Sequence, residues 1–184
     1  MSEFWKKIKY PYLTTILVSV FVAIFLARSE TFQSWILSLG SLEYIGALVA
    51  GTLFVSSITV PISIVVIGIM AENINPMALG LIGGVGAVMG DYLIFRLVRS
   101  NIQQELSLLF GKETTSHVKA VLHSKYISWT LPLIGAFVIA SPLPDELGVS
   151  LLGISKMSEA RFILISYVSN AVGILMVASV AKVL

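Results

Sequence analysis

The sequence predicts an all-α integral membrane protein built as an inverted repeat, each half a re-entrant helical hairpin followed by a transmembrane helix, with an extra N-terminal transmembrane helix in front. Three observations predict it. Of 184 residues, 57% are hydrophobic and only 12% charged, against about a quarter charged in a water-soluble domain. Two long apolar stretches are broken by proline and small polar residues, and each precedes an uninterrupted apolar span. The basic residues cluster where the spans would end on one side.

The length fits a single membrane domain, 1–184. It divides into an N-terminal part (1–43), a first hairpin plus span (44–99), an amphipathic segment (100–128) and a second hairpin plus span (129–184). There are no cysteines, which excludes disulfides and thiolate metal sites, and the net charge of +2 argues for no nucleic-acid partner.

The opening Lys6-Lys7-Ile8-Lys9 and the apolar run Leu13 to Ala27 resemble a signal peptide. No small-x-small cleavage site follows before Arg28-Ser29-Glu30, so the run reads as a retained helix with its basic end cytoplasmic. Phe32, Trp35, Ile36 and Leu39 share one face of Thr31 to Leu42, as in a helix lying along the outer surface and anchored by Trp35.

Tyr44 to Ala71 would make a straight helix roughly 42 Å long, more than a bilayer core of about 30 Å needs. Pro61 interrupts it, and a proline breaks a helix just before itself. Arg96 and Arg99 close the next span, Met77 to Val98, and open a basic region with Lys112, Lys119 and Lys125. The positive-inside rule makes that end cytoplasmic. Tyr44 to Ala71 must then begin and end on the outer side, as a hairpin with its tip near Pro61 and Ser63.

The pattern recurs from Trp129 to Ile154, broken by Ser141-Pro142-Leu143-Pro144-Asp145-Glu146, before a last span from Arg161 to Leu184. Gly68 and Gly153 follow the two breaks in matching places. Paired, proline-interrupted segments of this kind point to a transport path near the midplane. Between the halves, Ser100 to Ser128 reads as amphipathic helix against the inner leaflet, its lysines facing anionic headgroups.

Asp145 and Glu146, adjacent carboxylates between apolar runs, are the first candidates for a polar pathway, because ionisable groups at membrane depth face a cavity or a partner. One is also expected to cap the helix that follows. Asp91 lies roughly 10 Å along the helix from the arginine end. Two readings stand level for it: an ion pair with the basic layer, or a titratable group at the inner mouth of a cavity. Gly80, Gly84, Gly86 and Gly90 form two small-xxx-small pairs expected to pack against one of the broken segments. Glu72 reads as a turn residue. His117 and His123 are six apart, off a common helical face, and no metal site, cofactor or nucleophile–base pair is expected; the chain is not read as an enzyme.

At the two breaks the chain resembles the DedA family, also called the VTT or SNARE-associated domain superfamily. The matching residues are Pro61 through Gly68, Gly90-Asp91-Tyr92-Leu93-Ile94-Phe95-Arg96-Leu97-Val98-Arg99, and Pro142-Leu143-Pro144-Asp145-Glu146 followed by Gly153 and Met157. The resemblance covers about residues 44 to 184. It implies opposed re-entrant hairpins, lipid movement across the bilayer and protons as a coupling ion, with Glu146 and Asp91 at acidic positions of interest. The chain departs from the family in having Ile62-Ser63 where an acid is common, and Ala140-Ser141 with no arginine at the second tip. A phosphate headgroup needs cationic donors at that depth.

The expected function is therefore a DedA-like transporter in the cell membrane, a lipid flippase or scramblase or a small-solute carrier, with membrane lipids as partners and homo-oligomerisation expected. The alternative is a non-transporting scaffold that recruits lipids or proteins through the basic segment.

Overall fold

The computed structural model describes residues 11–39, 42–98, 125–139, 145–155 and 157–183. Every regular element among them is a helix. Helix α1 (Pro11–Ala27) has no charged residue. Its large side chains point outward, Phe21 being 73% and Phe25 66% exposed, while Ser19 and Ala23 are buried. That is the reverse of a water-soluble helix, and hydrocarbon is the solvent that permits it.

The chain bends by 77° into α2 (Glu30–Leu37). Ser29 makes the bend: its Oγ accepts from the Phe32 amide at 3.3 Å and caps α2. Gln33 Nε2 reaches back 2.6 Å to the Ala27 carbonyl at the end of α1. Ile36 is buried and Trp35 is 60% exposed, so the expected surface helix is present but ends at Leu37 rather than Leu42.

Helices α3 (Glu43–Phe54) and α4 (Val60–Met70) form an antiparallel pair. Ser63 Oγ donates to the Ala50 carbonyl at 2.7 Å, and a Cβ added to Gly46 would sit 3.1 Å from Met70 Cε. The break expected at Pro61 falls earlier. The turn is Val55 to Thr59, closed by Thr59 Oγ1 donating to Leu53 at 2.5 Å, and Pro61 lies in the first turn of α4. A proline is tolerated there because its missing N–H would have had no helical partner. Ser63 is correspondingly not at the tip; it is fully buried in the body of the pair and bonds the two arms together.

Glu72 is exposed in the turn that follows. Asn75 then caps α5 (Pro76–Val98), its Oδ1 accepting from the Met77 amide at 2.8 Å, with Pro76 at the first helical position. At 1.5 Å per residue α5 is about 34 Å long, enough to cross a bilayer. The arms of 12 and 11 residues reach only about 18 and 16 Å.

Glycines set how close the neighbours of α5 come. Gly80 and Gly84 face Ala171 and Leu175 of α8 (Glu159–Val183). Gly86 and Gly90 face Leu48, Thr52 and Val55 of the first hairpin. A step of six residues turns a helix by about 240°, so these are two faces, where the sequence reading expected one. Contacts ascend together along α3 and α5 (Gly51 at Gly83, Thr52 at Gly86, Val55 at Gly90), which makes the two parallel. They run oppositely along α5 and α8 (Gly80 at Leu175, Gly84 at Tyr167, Tyr92 at Glu159), which makes those antiparallel.

Helices α6 (Lys125–Ile139) and α7 (Asp145–Ile154) form the second antiparallel pair. Gly135 and Gly148 lie at their crossing, where a Cβ on either would come within 3 Å of the other's carbonyl oxygen. Lys125 to Ser128, read from sequence as the end of the amphipathic segment, belong to α6. Among the described residues two helices, α5 and α8, are long and apolar enough to cross a membrane, or three spans if the bent α1–α2 pair counts as one. The chain is thus an all-helical, membrane-associated protein.

A cavity of about 490 Å³ lies among α1, α2 and the first hairpin, walled by apolar side chains such as Leu26, Phe32, Val49 and Val66. None of its walls comes from α5 or α8.

Candidate functional site

The α5–α8 seam buries a charged-type residue with polar partners. Asp91 is 0% exposed, one residue past Gly90, whose missing side chain lets the first hairpin's turn come close. Its Oδ2 accepts from Ser166 Oγ at 2.7 Å and from Asn170 Nδ2 at 2.8 Å. The second Asn170 amide hydrogen goes to the Ser166 carbonyl at 3.0 Å. Both amide hydrogens are therefore used, which pins the Asn170 side chain with its NH₂ toward the carboxylate. Its Oδ1 is buried with no hydrogen-bond partner among the described residues.

Ser166 and Asn170 share the buried stripe of α8 with Phe162, Ile174 and Ala178, at steps of four residues. Small and amide side chains on that stripe leave room for the Asp91 carboxylate between two spans. Hydrogen bonds to a carboxylate are stronger than those between neutral groups and strongest where water is excluded, so this cluster ties α5 to α8. The first hairpin flanks it: a Cβ added to Gly173, three residues beyond Asn170, would lie 3.5 Å from the Phe54 ring, and Gly90 faces Val55.

Toward the Val98 end of the seam, Phe95 and Phe162 stack with ring centroids 4.1 Å apart and planes 16° apart, both fully buried. At the exposed rim, Tyr92 Oη donates to Glu159 Oε2 at 2.8 Å, and the Arg96 guanidinium lies 5.8 Å from the Tyr92 ring centroid. That is cation–π distance.

Among the described residues Asp91 is brought to a buried polar cluster with Ser166 and Asn170, and Arg96 faces outward over Tyr92. Gly68 packs beside Ala181 at the end of α8, and Gly153 beside Val98 at the end of α5. Asp145 and Glu146 open α7, but their side chains lie outside the described residues, as do Pro142, Pro144, Arg99 and residues 100–124 with both histidines. Of these residues Phe95 belongs to the stretch that carries the resemblance, and Ser166, Asn170, Phe162 and Glu159 were not singled out from sequence. An asparagine in the middle of an apolar span was the readable signal, since such a residue needs a partner in hydrocarbon. Among the described residues no group of His, Cys, Asp and Glu is placed to hold a metal.

No family profile, curated protein or solved structure matches this chain.

Proposed function

We propose that this chain is a small transporter of DedA-like architecture, in which two re-entrant hairpins and their spans form an inverted repeat that moves a lipid or small solute across the cell membrane with protons as the coupling ion. The observation that carries the reading is the Asp91 carboxylate buried between two spans at the level of a hairpin turn. A carboxylate is costly to keep in hydrocarbon and is retained there chiefly along ion and substrate routes.

The packing supports the hairpin part. Helix α3 runs parallel to α5 but is half its length, so the first hairpin enters from the Pro76 end, turns near Gly90 and returns. The repeat is supported by reciprocal contacts: the returning arm α4 ends on α8 through Gly68 and Ala181, and α7 ends on α5 through Gly153 and Val98. Each hairpin leans on the other half's span. In this reading the N-terminus and the Arg96 end are cytoplasmic, and Asp145 and Glu146 bring acidic groups to the start of α7.

The test is reconstitution in liposomes with a fluorescent phospholipid quenched from outside. The parent should expose inner-leaflet label to quencher, and Asp91→Asn and Glu146→Gln should each abolish that exchange while the folded fraction stays constant. Exchange that is unaltered in both variants removes the mechanism. No exchange in the parent, with Glu146→Gln lowering only thermal stability, favours the scaffold.

A further inference from the structure

We propose that the stacked Phe95–Phe162 pair is the gate to the Asp91–Ser166–Asn170 site, opened from the Tyr92–Glu159 end when the α6–α7 hairpin moves off it. The inference rests on the transport reading above and adds the access route to it.

Two layers follow one another along the α5–α8 seam. The inner one is polar and sealed, with Asp91 and Ser166 at 0% and Asn170 at 1% exposure. The outer one is the stack, and beside it, exposed at the same end of the seam, Tyr92 is bonded to Glu159. Phe95 is one helical turn from Asp91 on α5, and Phe162 one turn from Ser166 on the antiparallel α8, so both rings fall on the same side of the carboxylate. An aromatic pair packed face to face leaves no path for water, and a water-filled path is what a polar group at membrane depth needs to exchange anything with solvent.

The cover of the stack is the second hairpin. Phe95 and Phe162 share one apolar core with Ile139 of α6, Val149 and Leu152 of α7, and Met157 of the following link. Gly153 lets α7 close down: a Cβ there would lie 3.1 Å from Val98 Cγ1 and 3.4 Å from the Phe95 carbonyl oxygen. Asp91's own level is flanked instead by the first hairpin, through Val55 and Phe54. One hairpin therefore borders the site and the other covers its entrance. Asn170 gives the site a reason to open, because its pinned Oδ1, without a partner among the described residues, accepts from an entering water or coordinates an entering cation.

The chain has no cysteine, so single cysteines report accessibility without background. The probe is the membrane-impermeant cation 2-(trimethylammonium)ethyl methanethiosulfonate, added to sealed vesicles, with Glu159→Cys marking the face on which that rim lies. Ser166→Cys in the parent background should react slowly, and adding Phe162→Ala should speed it about tenfold or more, because an occluded site reacts only through an open state populated at roughly 0.1–10%. Phe162→Leu, which keeps the volume, should stay slow. The acceleration should come from the Glu159 face alone, and a fully buried reporter elsewhere on α8, Ala178→Cys, should not share it. Asn170→Cys repeats the measurement if Ser166→Cys does not fold. The gate is overturned by fast labelling in the parent, by no acceleration in Phe162→Ala, by acceleration from the opposite face, or by equal acceleration at Ala178→Cys. Labelling does not require flux. Gated labelling without exchange in the parent removes the transport reading alone, and exchange without gated labelling removes the gate alone.

Discussion

Two glycine-to-alanine substitutions should move stability in opposite directions. At Gly86 a new Cβ would overlap the Leu48 carbonyl oxygen, and would lie 2.8 Å from that carbonyl carbon and 3.1 Å from the Thr52 nitrogen. All three atoms are backbone, so no rotamer change relieves the overlap; α3 and α5 must part. Restoring ordinary contact takes more than about 0.5 Å, and a gap of that size forfeits a quarter to a half of the dispersion energy along the seam. Overpacking of this kind costs about 1–3 kcal/mol. Parting also stretches the 3.1 Å bond from Thr52 Oγ1 to the Gly86 carbonyl, worth about 1 kcal/mol. Alanine returns at most about 1 kcal/mol in helix propensity, so Gly86→Ala should lose about 1–3 kcal/mol net. At Gly68 the nearest atom to a new Cβ is Ala181 Cβ at 3.6 Å, an ordinary contact. There the propensity gain of about 0.5–1 kcal/mol stands alone, and Gly68→Ala should stabilise. The assay is thermal unfolding of the purified protein in detergent, followed by tryptophan fluorescence and by the monodisperse fraction left after heating. Gly86→Ala melting at or above the parent would refute the close approach of α3 to α5, and Gly68→Ala melting below it would refute the open contact between Gly68 and Ala181.

Three further outcomes are expected. Asp91→Leu should destabilise by about 2–5 kcal/mol, since it leaves the Ser166 hydroxyl and Asn170 amide buried without their carboxylate; the same melt on Asp91→Asn should show a smaller loss, and equal losses would count against the hydrogen bonds described. Ser63→Ala should cost about 0.5–1.5 kcal/mol by removing the bond that joins the arms of the first hairpin, measured as a lower melting temperature; no change would place Ser63 at a solvated tip after all. Tyr92→Phe should leave the melting temperature where it is, because its bond to Glu159 is exposed at the rim, and a large fall would mean that this rim is sealed.

The helical class and the two long spans were legible because hydropathy over twenty residues is a sum, and single exceptions do not overturn it. The position of the first break was not. Pro61 drew the eye, but a proline's cost depends on whether its N–H is needed, and in the first turn of α4 it is not. The better signal was Ser56-Ser57-Ile58-Thr59, a short run of small polar residues able to bond carbonyls within a turn, as Thr59 does. The glycines were recognised as close-approach positions, yet their division between two partners follows from the 100° step per residue and could have been worked out beforehand. The polar cluster was half legible. Asp91 could be found from its own chemistry, whereas Ser166 and Asn170 lie 75 and 79 residues away, and nothing local says which face of α8 meets α5. The pairing of Phe95 with Phe162 gave no signal, since a phenylalanine in a membrane helix looks the same whether it faces lipid or a partner ring.

The proposed repeat makes the polar cluster informative for a further reason, which is that it occurs once among the described residues. The register that lays Gly84 of α5 on Tyr167 of α8, two residues that meet in the seam, also lays Gly83 on Ser166 and Asp91 on Ile174. A two-fold relation between the halves would then turn the Asp91–Ser166 pair into the Ile174–Gly83 pair. Those two residues do meet: a Cβ on Gly83 would lie 3.0 Å from Ile174 Cδ1. The seam therefore carries two geometrically matched contacts, one a hydrogen-bonded carboxylate and the other a branched hydrocarbon against a glycine. If the carboxylate served only to fasten α5 to α8, the apolar solution already present at the matched position would do so without the cost of taking a charge-bearing group out of water. Its presence at one of the two matched positions is what the proposed transport reading expects of a site, as distinct from a fastener.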